Sequence, residues 1–286
     1  MSDTIIRRLE ESNPLREAVL RSVIQALRLP VGSRGLDVGC GIGLQAVLLA
    51  EAVGPTGQVT GLDFSNDLLV YAQETLAESG LAMPISLVQG DMYALPFDSG
   101  AFNWAWSADC VGYPAGEFLP ALAEMARVVR PGGSVAITAW SSQQLLPGHV
   151  LLEARLNATC SPLAPYLRGR QPESHFARAL GWFRQAGLEE CTARTVVGNV
   201  QAPLSKGVRS ALASLMSQLW GERQPEVSAE DWLESQRLCQ PESPDFILNL
   251  PEYHGFFTYT VFQGRARGQE GVSGVARYRD EWGEAV

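Results

Sequence analysis

The amino-acid sequence predicts an α/β fold: a doubly wound, mostly parallel sheet with helices on both faces. Three observations carry this. Short apolar runs alternate with amphipathic helical patterns across the first half of the chain. The first run, Arg34-Gly35-Leu36-Asp37-Val38, enters three alternate glycines, Gly39, Gly41 and Gly43, and a helical pattern follows directly. An acid stands at or near the carboxyl end of each of the first three runs, at Asp37, Asp63 and Asp91, the sheet edge at which ligands bind in such folds.

Composition narrows the function. A chain of 286 residues, 46% hydrophobic and 19% charged, can bury a sizeable core. A formal net charge of -9 and the absence of a basic cluster argue against a nucleic-acid partner. The five cysteines, at 40, 110, 160, 191 and 239, are odd in number and form no C-x-x-C pair. They read as reduced thiols of a cytoplasmic protein. The charged first eleven residues lack the apolar stretch of a signal peptide, and no run approaches the length of a membrane span.

Taken in order, Asn13-Pro14 opens a helix over 14–29, because asparagine caps well and proline is tolerated in the first turn. The strand at 34–38, the glycine turn and a helix over 44–53 follow. A second strand, 58–63, ends on Asp63, where a carboxylate can accept hydrogen bonds from both hydroxyls of a ribose; the same acid could instead cap the following helix, 66–78. The third strand, 84–89, leads to Gly90-Asp91-Met92, where Asp91 either faces a ligand or caps a turn. A fourth strand over 102–107 places Trp104 and Trp106 on one face and ends in the tip Ser107-Ala108-Asp109-Cys110. A helix over 117–129, the turn Arg130-Pro131-Gly132-Gly133 and a fifth strand over 134–140 complete the regular part. Beyond it, helices are predicted at 150–158, 174–186, 206–220 and 229–239, and strands at 190–200 and 256–264.

The glycine spacing separates two ligand classes. A dinucleotide fingerprint, G-x-G-x-x-G, needs glycine at position 44, which is Leu44. Asp37-Val38-Gly39-Cys40-Gly41-Ile42-Gly43 instead resembles the first motif of the class I S-adenosylmethionine-dependent methyltransferases, acid-x-Gly-x-Gly-x-Gly, at every fixed position. The resemblance extends to Leu95-Pro96-Phe97 before the fourth strand, with Asn103 in place of the usual aspartate, and to Arg130-Pro131-Gly132-Gly133. It implies a Rossmann-like seven-stranded sheet with the last strand antiparallel beside the fifth. It also implies S-adenosylmethionine as cofactor and S-adenosylhomocysteine as product. The residues it implies for cofactor binding are Asp37, Gly39, Cys40, Gly41, Gly43, Asp63, Phe64, Asp91, Met92 and Ser107. Asp37 would take the ammonium group, Asp63 the ribose and Asp91 the adenine amino group.

The whole chain then reads as one methyltransferase domain. Its core is 14–140, 175–200 and 256–265; 141–174 and 201–255 are insertions forming a helical lid, and 268–286 is a polar tail. The predicted activity is in-line methyl transfer to a small-molecule acceptor, as in ubiquinone-biosynthesis and natural-product methyltransferases. Because the methyl is already activated, alignment and exclusion of water dominate, and no catalytic constellation is legible. Candidate bases are His149, His175, Tyr113 and Asp109, with His254 behind them. Trp220, Trp232, Tyr253, Phe256 and Phe257 are candidates for an apolar acceptor pocket. No metal-ligand cluster and no motif of DNA-methylating enzymes is evident. The alternative is a non-catalytic protein that binds adenosylmethionine or uses the fold for assembly; a nicotinamide oxidoreductase is disfavoured by Leu44. The sequence leaves the oligomeric state open.

Overall fold

The structure, a computed structural model, describes residues 2–78, 84–112, 118–159, 172–222 and 224–267. The predicted tail at 268–286 and the candidate Tyr113 lie outside the described residues.

Seven strands form one sheet: β1 (Arg34–Val38), β2 (Gln58–Asp63), β3 (Ile85–Gln89), β4 (Phe102–Ala108), β5 (Val129–Gln144), β6 (Glu189–Gln201) and β7 (His254–Arg265). Their order is β3-β2-β1-β4-β5-β7-β6. The first five strands pair in parallel, and β7 runs antiparallel to both β5 and β6. The chain winds outward from β1 to β3, then returns to β4 on the other side of β1. That reversal opens a crevice at the carboxyl ends of β1 and β4.

Among the described residues, eight helices flank the sheet: α1 (Ser2–Leu27), α2 (Leu44–Val53), α3 (Asn66–Glu78), α4 (Phe118–Val128), α5 (Val150–Thr159), α6 (Ala179–Gln185), α7 (Lys206–Trp220) and α8 (Ala229–Cys239). Alternation along the strands divides the buried residues into two cores. Trp104, Trp106, Ala136 and Trp140 face α1, α2 and α7, whereas Ala105, Val135, Ile137 and Ala139 face α4 and α6. Gly35 is required where it stands, because a Cβ there would lie 2.0 Å from the Trp104 ring. The indole in turn donates to Ser33 Oγ at 2.9 Å, so a buried polar edge is satisfied.

Four elements differ notably in extent from the sequence reading. Helix α1 starts at Ser2 and runs through Pro14. Proline removes one helical hydrogen bond, but the first half of α1 is held by its neighbours: Glu10 accepts from Tyr71, and Ser2 donates to Asp67. Strand β5 begins at Val129 rather than after Arg130-Pro131-Gly132-Gly133, and a bulge opposite Phe102 and Trp104 absorbs that segment. It also continues past Trp140 to Gln144, because Ser142, Gln143 and Gln144 still pair with β7. The helix predicted over 174–186 is reduced to α6. Two 3-10 turns precede it, the second capped by His175, whose Nδ1 accepts from Ala177 N at 3.1 Å. Finally, β7 starts at His254, two residues early.

Of the segments predicted to form a lid, 201–255 supplies α7 and α8, with α7 packed along α1. Helix α5 is fastened by Glu153. Its buried carboxylate accepts from Leu145 N at 2.7 Å and Leu146 N at 2.9 Å, closing the bend after β5.

Candidate functional site

The turn after β1 is anchored before any ligand is considered. Gly39 N and Cys40 N both donate to Leu62 O, at 2.8 and 3.0 Å, which ties the turn to β2. Gly39 has φ +77°, and a Cβ there would meet Cys110 Sγ at 2.3 Å, so both conformation and space demand glycine. Asp63 completes the anchor. Its Oδ2 accepts from Gly41 N at 2.8 Å and its Oδ1 from Ser65 N at 2.9 Å. The cap of α3 is Ser65, whose hydroxyl accepts from Leu68 N at 3.4 Å, so Asp63 is not spent as that helix's cap.

Asp37 is 1% exposed at the end of β1, and its Oδ2 has no hydrogen-bond partner among the described residues. Burial first, and the neighbouring Asp63 second, push its pKa up to about 8. A buried carboxylate oxygen without a donor is costly unless something supplies one.

Three cavities adjoin along the carboxyl edge of the sheet. The first, about 310 Å³, is lined by Gly39, Asp63, Phe64, Asp91, Met92 and Tyr93, among others. Asp91 Oδ1 accepts from Tyr93 N at 2.9 Å, which fixes a tight turn closed by the Asp91–Ala94 bridge. Phe64 stands 77% exposed at this rim, as a flat apolar surface without a protein partner of its own size would. The second cavity, about 220 Å³, lies over the glycine turn beneath Leu9 and Arg16 of α1. The third, also about 220 Å³, is lined by Leu15, Arg16, Asp109, Trp140, Leu219 and Tyr259, with most of its lining apolar. Gly39, Asp63 and Cys110 border both the first and second cavities; Arg16 and Asp109 border both the second and third.

Not every residue expected at this edge lines a cavity. Ser107 is 1% exposed and ties the tip of β4 inward, donating to Val38 O at 2.8 Å and accepting from Val111 N at 3.3 Å. Gly43, with φ +80°, leads into α2. Cys40 borders the second cavity, with its thiol pushed well above the ordinary range, by burial first and the two aspartates second. His149 sits against Glu234, 3.6 Å away, and lines none of the three cavities. His175 caps a 3-10 turn, and His254 lies exposed at the start of β7.

Asp109 is the one candidate base that the described residues bring to the crevice. It adopts φ +48°, which aspartate tolerates better than most residues. Its Oδ1 accepts from Trp140 N at 3.0 Å; its Oδ2 accepts from Arg16 and from the Tyr259 hydroxyl, the latter at 2.9 Å. Both carboxylate oxygens are therefore engaged. Tyr259 also accepts from Arg16 Nε at 2.8 Å, and burial holds its phenol well above its usual pKa. Arg16 and Tyr259 were not legible as site residues: Arg16 reaches the site from a helix 93 positions upstream of Asp109, and Tyr259 from a strand 150 positions downstream. None of the five aromatics expected at an acceptor pocket lines these three cavities. Trp220, Tyr253 and Phe257 are core residues, while Trp140, stacked on Phe257 at 4.3 Å, forms the cavity wall.

A methyltransferase-domain family matches residues 36–133, from β1 to the bulge of β5. The demethylmenaquinone methyltransferase of Staphylococcus aureus (strain JH9) is 37% identical over 173 residues, covering 59% of this chain and 68% of that protein. The chain belongs to the class I S-adenosylmethionine-dependent methyltransferases. Solved structures agree on the fold. The YcgJ protein from Bacillus subtilis superposes with a TM-score of 0.54 at 17% identity, covering 89% of this chain and 100% of that one. A SAM-dependent methyltransferase from Aquifex aeolicus gives 0.50 at 22% identity, over 66% of this chain and 90% of that one. Among the described residues, no helix is long and apolar enough to cross a membrane.

Proposed function

We propose that this methyltransferase moves a methyl group from S-adenosylmethionine to an apolar small-molecule acceptor. The observation that carries the reading is the continuity of the three cavities through shared residues, from Asp91 at one end to Tyr259 at the other. Asp37 supports the cofactor assignment: its buried, unpartnered Oδ2 suits an ammonium group, which would restore the charged form of a carboxyl otherwise held protonated. Asp63, exposed to both of the first two cavities, would accept from ribose hydroxyls; Asp91, Met92 and Phe64 would surround the adenine. The turn residues Gly39, Cys40 and Gly41 would approach the amino-acid end closely.

When bound, adenosylmethionine supplies an activated methyl on a sulfonium that departs as a neutral thioether. What the chain contributes is alignment and dryness. Helix α1 roofs the second cavity with Leu9, and α7 walls the third with Leu215 and Leu219. The apolar lining of the third cavity suits an apolar acceptor, in line with a quinone-type methyltransferase as relative. Lid closure by the 201–255 segment, whose α7 packs on α1, belongs to the same proposal.

Isothermal titration with S-adenosylhomocysteine tests this reading. Micromolar binding to the folded protein is expected; no heat at millimolar ligand sinks it. One observation favours a second reading, a non-catalytic cofactor-binding protein: both oxygens of Asp109 are occupied, and the histidines lie away from the cavities. That reading predicts cofactor binding with no labelled methyl transferred to any member of an acceptor panel.

A further inference from the structure

Two walls of the third cavity are tied to one oxygen atom that belongs to neither. One wall is Trp140 on β5; the other is α7, which presents Ala211, Leu215 and Leu219. The Trp140 indole donates to Gln143 Oε1 at 2.7 Å, and Gln143 Nε2 donates to Asn157 Oδ1 at 3.1 Å. The same Asn157 oxygen accepts from the indole of Trp220, the last residue of α7, at 3.1 Å. Gln143 lies near the end of β5 and Asn157 on α5. Neither residue lines any of the three cavities.

The relay can run in one direction only. An indole N–H donates and cannot accept. With an indole at each end, Gln143 must turn its oxygen to Trp140 and its amide nitrogen to Asn157. Asn157 must then present its oxygen to both donors. Trp140, Gln143 and Trp220 are buried, so solvent does not replace a partner that is lost. Phe257 covers one face of the Trp140 ring, stacked at 4.3 Å with 7° between the planes, and Tyr259 meets it edge-on. A stacked ring can still slide within its own plane, and the bond to Gln143 opposes that motion.

We infer that Asn157 is a positioning residue that sets the specificity of the third cavity. By holding Gln143 and Trp220 on one oxygen, it fixes the separation of Trp140 from α7, and with it the thickness of the apolar group that fits between them. Gln143 is the positioning residue that carries this constraint to the indole. Helix α5, which lines none of the three cavities, thereby enters the selectivity of the site. This rests on the proposed methyl transfer and deepens it, by naming what selects the shape of the acceptor.

The test uses benzyl alcohol and 1-adamantanemethanol, which carry the same hydroxymethyl group on a flat ring and on a bulky cage. Each is titrated into the full chain with and without S-adenosylhomocysteine. Asn157→Leu removes the shared acceptor and keeps the bulk; Asn157→Asp keeps the acceptor. Asn157→Leu is expected to shift the preference towards the cage by at least ~10-fold, the low end of what one methylene of misfit costs in an apolar pocket. Asn157→Asp is expected to stay within a factor of two of the wild type. The indole N–H resonance of Trp140, assigned with Trp140→Phe, gives a readout that needs no ligand. Asn157→Leu, which makes no direct bond to Trp140, is expected to move that resonance, and Asn157→Asp to leave it in place. A folded Asn157→Leu protein in which either the resonance or the preference is unchanged overturns the inference, as does a wild type that binds neither probe. If Asn157→Leu does not fold, Trp220→Phe, which removes one of the two donors, is held to the same shifts. A preference that follows Asn157 without any heat from S-adenosylhomocysteine would uphold this role and refute the methyltransferase reading, so the two fail separately.

Discussion

Binding of S-adenosylhomocysteine is expected to expel a proton from Asp37. The carboxyl is buried without a partner for Oδ2, and its pKa stands at about 8. At pH 7 such a group is roughly 0.9 protonated. An ammonium placed against it lowers the value by about 2 units, to around 6, which leaves roughly 0.1 proton. The difference, ~0.8 proton per site, passes to the buffer. The same arithmetic gives ~0.5 proton at pH 6 and ~0.1 at pH 9, so release peaks near neutrality. Calorimetry in phosphate and in Tris at pH 7 measures it directly. The two observed heats should differ by that fraction of the difference in buffer ionisation enthalpies. Asp37→Asn, which keeps the shape and removes the titration, should bring the heats together. Wild-type heats that coincide in the two buffers, with tight binding, would refute Asp37 as the ammonium partner.

Four further outcomes follow from the geometry. Because the folded pKa of Asp37 is raised, the unliganded protein holds a proton that the unfolded chain releases near pH 4; its stability should therefore fall as pH rises from about 4 to 8, and Asp37→Asn should flatten the melting temperature across that window. Gly39→Ala brings a Cβ to 2.3 Å from Cys110 Sγ at φ +77°, and should cost about 2 kcal/mol in urea unfolding and at least ~10-fold in S-adenosylhomocysteine affinity. Asp63→Ala strips acceptors from Gly41 N and Ser65 N, and should weaken cofactor binding more than ~10-fold by loosening the turn, as read by the same titration. Glu153→Ala leaves Leu145 N and Leu146 N without acceptors, and should destabilise the protein by about 2–4 kcal/mol in denaturant unfolding while leaving S-adenosylhomocysteine affinity within a factor of two.

The elements built from local signals were legible. Strands β1 to β4 and helices α2, α3, α7 and α8 fall within a residue or two of where apolar periodicity and turn residues put them. The antiparallel entry of β7 beside β5 came from family resemblance and holds. Local rules failed where tertiary contacts override them. Pro14 was read as a helix start because the contacts that carry α1 through it, to Asp67 and Tyr71, are more than fifty residues away in sequence. Arg130-Pro131-Gly132-Gly133 was read as a plain turn, yet Gly132 N donates to Ala266 O at 2.9 Å, and Gly133 O accepts from Ala266 N at 2.9 Å. Most residues around the first two cavities were legible because one loop and two strand tips carry them in order. Those of the third were not, because Arg16, Trp140 and Tyr259 converge on Asp109 from three other elements with no spacing to announce them. Trp220 and Tyr253 misled for the opposite reason: aromatic composition marks burial before it marks a pocket.

A single helix roofs one cavity with Leu9 and walls the next with Leu15, while Arg16 touches both. If both cavities fill as proposed, the two compartments would share one wall. Any displacement of the amino-terminal turns would then open both at once, and the two occupants would exchange in concert.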